Sequence, residues 1–134
     1  MKKIIIIIVA VLVVAGAAAY LFLIPKPPEP PKKSAYVPGD YFVTNVRDSK
    51  MLLKTTIVLE VDKDLEDEEF QNFLAENSHI IRDTIVFILR NKTEEELRAA
   101  DVKEKLISEM VPKINEKLGI DNVKTLYFND YVLQ

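Results

Sequence analysis

The 134-residue chain has no cysteine, no tryptophan, three glycines and one histidine. Without cysteine there is no disulfide, thiolate nucleophile, lipid-modified cysteine or cysteine-based metal site. His79 has no second imidazole or thiol with which to share a zinc ion. Gly16, Gly39 and Gly119 are too scattered to form a phosphate-cradling loop. None of Ser34, Ser49, Ser78 and Ser108 lies in a G-x-S-x-G elbow. Residues 34–134 carry 20 acids against 13 bases, the wrong balance for a surface that binds phosphate backbones. Neither an enzyme, nor a cofactor, nor a nucleic-acid partner is expected.

Charge is also absent from Ile4 to Ile24, and this absence is informative. About 20 apolar residues at about 1.5 Å rise cross a hydrocarbon core of about 30 Å. Lys2 and Lys3 precede the run and Pro25 ends it. The expectation is a membrane anchor that includes Ile4, Ile8, Leu12, Gly16, Tyr20 and Ile24. Ala15, Ala17 and Ala19 leave a cleaved secretory signal open as the alternative. Tyr20 to Ile24 weigh against it, because they continue the apolar run past the small residues. Lysines flank both sides, so counting them does not set the orientation; a whole domain after the span favours an N-terminus inside.

Five of the seven prolines fall between Pro25 and Pro31. Each fixes φ and removes a donor, so the stretch reads as an extended spacer, about 28 Å long at about 3.1 Å per residue. About a hundred residues follow, enough for one core.

Tyr41–Val46 reads as a short strand after the turn Pro38-Gly39-Asp40. Arg47-Asp48-Ser49-Lys50 then has the length of a hairpin connection. Met51–Val61 alternates cleanly, with Leu53, Thr55, Ile57, Leu59 and Val61 on one face. From Glu60 to Glu69 seven acids surround Lys63. A calcium loop starting at Asp62 would need Gly at position six and Glu at position twelve. Asp67 and Phe73 stand there, so Asp64 is read as the cap of a helix over Glu66–Asn77. A second helix spans Ser78–Arg90, with so little polar circumference that it should be the most buried. Thr93 with Glu96 forms a capping box, and Asp101 with Glu104 repeats the pattern ahead of Val102–Leu118. Pro112 should kink that helix and Gly119 should cap it. Asn122–Leu133 closes as a strand. The fold expected is α+β, with a three-stranded antiparallel sheet packed by helices on one face.

Several stretches together carry a resemblance. They are Pro38-Gly39-Asp40-Tyr41-Phe42-Val43-Thr44-Asn45-Val46, Leu53 to Val61, Ile80 to Ile85, Ile114-Asn115 with Gly119, and the ending Tyr127-Phe128-Asn129-Asp130-Tyr131-Val132-Leu133-Gln134. In this order and spacing the chain resembles the flagellar basal body-associated FliL family, with a short, proline-dense linker and Leu133 as departures. The resemblance implies residues 1–3 in the cytoplasm, 4–24 as a transmembrane helix, 25–35 as a periplasmic linker and 36–134 as a periplasmic domain of stomatin/prohibitin (SPFH) type. It implies a single-pass inner-membrane protein of the basal body that forms a homo-oligomeric ring around the stator units and supports motor torque. The partners implied are stator membrane proteins, further copies of the chain and the lipid bilayer.

A ring needs two different contact faces on each subunit. The family-like stretches nominate Phe42, Thr44 and Asn45 for one and Arg82 and Asp83 for the other. The alternative is that Phe42, Ile81 and Phe128 are simply core. Pro30, Lys32, Lys33 and Tyr36, nearest the membrane, are the candidates for stator contact. A membrane-anchored binding or assembly module of a non-flagellar envelope system is the rival reading.

Overall fold

A ten-residue strand in which every second side chain points inward organises the folded part of the chain. The computed structural model describes residues 11, 13–20, 30 and 32–134. These fall into two units, 1–30 and 31–134. In the first, Val11 and Val13–Tyr20 are helical with exposed side chains. Among the described residues no helix is long and apolar enough to cross a membrane. Ile4, Ile8, Leu12 and Ile24 of the expected anchor lie outside the described residues, whereas Gly16 and Tyr20 lie on the helical stretch.

The second unit runs β1 (Ser34–Tyr36), β2 (Phe42–Asn45), β3 (Leu52–Val61), α1 (Glu68–Glu76), α2 (Ser78–Arg90), α3 (Glu94–Arg98), α4 (Val102–Leu118) and β4 (Val123–Leu133). All pairings are antiparallel. β4 lies along one edge of β3 from Leu53 to Val61. β2 takes Leu52–Thr55 on the other edge and β1 takes Leu59–Val61. The sheet therefore has four strands, not three. The extra strand is Ser34–Tyr36, whose first two residues the sequence places in the linker. A strand of three residues next to a proline run has no local signal. It forms because β3 outruns β2 and leaves half an edge unfilled.

Leu53, Thr55, Ile57, Leu59 and Val61 are all fully buried, as their alternation requires. They meet Leu74, Ile81, Ile85, Leu89, Leu106, Met110 and Ile114 from the helices, which cover one face of the sheet. α2 buries more of its residues than any other helix, but only along one stripe: Ile81, Thr84, Ile85 and Leu89. Phe87, on the opposite side, is 52% exposed.

Two caps differ from expectation. The cap of α1 is Asp67, which accepts from the N–H of Glu69 (3.1 Å) and Phe70 (3.3 Å). Asp64 instead accepts from Glu66 N–H and closes a turn ahead of the helix. Asp101 makes no cap bond, because its backbone is not extended there; its carboxylate pairs with Lys105 at 2.9 Å. The Thr93/Glu96 capping box forms in full. Gly119 caps α4 in the left-handed conformation at φ 66°. The helix continues through Pro112, whose ring faces solvent.

Two tyrosines of the sheet finish helices. The Tyr36 hydroxyl donates to Leu74 C=O at 3.0 Å, in the last turn of α1. Tyr131 does the same for Leu97 C=O at 2.9 Å in α3, and burial pushes its phenol up to about 12. Both satisfy carbonyls that a helix end leaves without an internal partner.

Candidate interaction surface

Arg82 organises the first candidate region. Its guanidinium donates to Pro38 C=O (3.0 Å) and Tyr41 C=O (3.2 Å), closing the turn between β1 and β2 against α2. The same group lies over the Phe42 ring, 4.5 Å from its centre. Gly39 sits beneath it at φ +129°, where a Cβ would collide with Arg82 Nη1. Glycine is therefore required twice at that position, for backbone conformation and for space.

Of the nominated contacts, Phe42 is 1% exposed and belongs to the core. Thr44 is buried too, and its hydroxyl donates to Asn45 C=O. Asn45 and Asp83 are exposed, and Arg82 is half-buried. β2 packs on α2, so the two sets lie on one side of the domain. Asn45 lines one hollow and Asp83 a different groove, while Arg82 and Phe42 touch each other. The sequence missed the burial of Phe42 and Thr44 because a four-residue strand shows too little alternation to separate core from surface. Nearby, Val43, Asn45, Leu52, Val86 and Arg90 line a hollow of about 220 Å³. A groove of about 360 Å³ runs between α2 and α4, with Thr84, Phe87 and Ile88 along it and Asp83, Glu109 and Lys113 at its rim.

The second region is where the spacer meets the sheet. Pro30 is exposed. Lys32 Nζ pairs with Asp64 at 2.7 Å and Lys33 Nζ with Glu60 at 2.9 Å. Ser34 Oγ accepts from Leu65 N–H at 3.3 Å. Glu60 also accepts from the Tyr127 hydroxyl at 2.7 Å. Hydrogen bonds to these carboxylates hold the Lys32 and Lys33 ammonium groups above their ordinary range. Glu60 is held below its own chiefly by the Lys33 and then the Tyr127 bond, and Asp64 by Lys32 and then Glu66 N–H. Glu60 on β3 and Asp64 after it thus receive the two lysines ahead of β1. No local sequence signal pairs these lysines with carboxylates 27 and 32 residues further on. A third device went unread: the Asn115 amide both donates to Val123 C=O (2.9 Å) and accepts from its N–H (3.1 Å), completing one end of β4.

Among the described residues no three His, Cys, Asp or Glu side chains converge on a metal position. His79 is exposed and its Nδ1 lies 3.0 Å from Glu76 C=O, at a helix start.

Taken together these features define a small α+β domain whose distinctive side chains bind its own backbone and the lysines just ahead of β1. Residues 36–134 match the family described as flagellar basal body-associated protein FliL. The chain belongs to the FliL family, a structural family of the flagellar basal body. It is also similar to the flagellar protein FliL of Aquifex aeolicus (strain VF5), with 30% identity over 95 residues. That alignment covers 69% of this chain and 56% of the relative, so the chain spans about half the length of the curated protein it matches.

Proposed function

We propose that the chain is a single-pass inner-membrane structural protein of the flagellar basal body. Residues 4–24 anchor it, residues 25–35 carry it off the bilayer with their last two folded onto the sheet, and residues 36–134 form an SPFH-type domain in the periplasm. Copies associate into a ring around the stator units and support torque. The observation that carries this reading is the family match over 36–134 behind an uncharged apolar run and a proline-dense stretch.

An anchor confines copies to a plane and raises their effective concentration beside one another and beside stator helices. Asn45, Asp83 and the half-buried Arg82 supply one contact face, with Phe42 and Thr44 as its foundation from beneath. Stator contact falls on Pro30, Lys32, Lys33 and Tyr36.

Deleting the gene while leaving stator genes intact is expected to slow swimming without removing filaments. Crosslinking from Lys32 or Lys33 is expected to capture a stator peptide. Unchanged swimming in viscous medium, or a soluble mature form lacking residues 1–24, would overturn the reading. Charge reversal at Asp83, with assembly followed by mass photometry of the membrane-extracted chain, tests the contact face: unaltered assembly removes Asp83 from it.

A further inference from the structure

β1 is short, and besides its ladder it is held by the Tyr36 hydroxyl on Leu74 C=O, by Leu65 N–H on Ser34 Oγ and by the half-buried Tyr36 ring. Three residue pairs join it to β3: Ser34 to Val61, Ala35 to Glu60 and Tyr36 to Leu59. Two ion pairs reinforce it; each lysine side chain in them is 68% exposed, and the carboxylates Asp64 and Glu60 are 32% and 19% exposed. With the lysines so exposed, salt screens the attraction and ordering the side chains offsets much of it. Immediately afterwards the Arg82 fork fixes Pro38 to Tyr41, so detachment of β1 would stop at Val37. What it would leave is a short open edge of β3 with two carboxylates beside it. That edge fits this segment, as the chain's own Lys32–Tyr36 shows by sitting in it. A second copy carries the same segment, and every hydrogen bond and ion pair can form between copies without new chemistry.

We propose that Lys32–Tyr36 is an exchangeable strap: the β3 edge at Leu59–Val61, clamped by Glu60 and Asp64, receives this segment from a second copy of the chain. The proposal rests on the self-association read above and adds to it a donor and an acceptor surface. Donor and acceptor are different surfaces, so each copy gives with one and receives with the other. Such a contact propagates and closes when the rotation per copy permits.

Charge exchange in the full-length, membrane-extracted chain tests it. One variant carries Lys32→Glu with Lys33→Glu, reversing the strap. The other carries Glu60→Lys with Asp64→Lys, reversing the slot. Alone, each sets its strap against a like-charged slot, in its own chain and in every other. Mixed in equal amounts, each strap finds an opposite slot only in the other variant. The mixture is expected to assemble about tenfold more tightly than either component at low salt, and to lose that gain near about 1 M salt. A chain with all four substitutions restores matching charges and is expected to assemble like the parent, which serves as the folding control. A mixture no better than its components, with parent and fourfold variant both assembling, overturns exchange while self-association stands. A parent that stays monomeric at every concentration overturns the reading beneath it.

Discussion

Within ten residues the same connecting segment is held in two ways. Pro38–Tyr41 is fixed by one half-buried arginine that donates to two backbone carbonyls and covers a buried ring. Lys32–Tyr36 is fixed by exposed ammonium groups, three residue pairs and two single hydrogen bonds, Tyr36 to Leu74 C=O and Leu65 N–H to Ser34. A guanidinium fork aimed at two carbonyls is planar and pre-organised, and its bond to Pro38 C=O is partly shielded from water. An exposed lysine exchanges its carboxylate for water and salt at almost no cost. The first device therefore belongs to the fold, and the second is suited to a join that opens.

Arg82→Ala should widen this contrast most. It removes two charge-assisted hydrogen bonds and uncovers Phe42, and a loss of about 2–3 kcal/mol is expected in denaturant unfolding. Gly39→Ala strikes the same turn from the other side. The positive φ strains any Cβ by about 1–3 kcal/mol, and the Arg82 tip must move, so turn and fork should loosen together. Tyr36→Phe is milder, costing about 1 kcal/mol for the lost bond to Leu74 C=O. It should free β1 while leaving Pro38–Tyr41 in place, the separation on which the comparison depends.

The smallest effect on global stability comes from the strap ions, and its pH dependence has a definite sign. Glu60 and Asp64 titrate lower when folded, so their contribution is present above the ordinary carboxylate range and fades as pH falls through their folded values. Lys32 and Lys33 titrate higher when folded, so theirs is present below the ordinary lysine range and fades as pH rises through the folded values. The strap should therefore be closed across neutral pH and open at both extremes. Exchange of the β1 amides at acid pH checks this, with Lys33→Ala as the comparison.

Much of the frame was legible because its signals are local. The alternation of Leu53 to Val61 defined the buried face of β3. Thr93 with Glu96 announced a cap, and Gly119 announced a left-handed end. Other features depend on partners far along the chain. β1 exists because β3 is longer than β2, which a reading of Ser34–Tyr36 alone cannot reveal. Asp64 and Asp67 are equally good caps by composition; the turn closed by Asp64 delays the helix and decides between them. Among the nominated contacts, motif membership could not tell Phe42 in the core from Asn45 at the surface. Nor could it place Arg82 across the turn from Gly39. The strap lysines were read for their nearness to the membrane, and their carboxylate partners more than 25 residues on became visible only in the fold.

The most direct test is residue-resolved hydrogen exchange across 32–45 in the intact chain, at low and at high salt. The account predicts that the β1 amides exchange quickly and faster still in salt. The β2 amides, behind the Arg82 fork, should stay protected and indifferent to salt. Equal, salt-independent protection of both strands would contradict it.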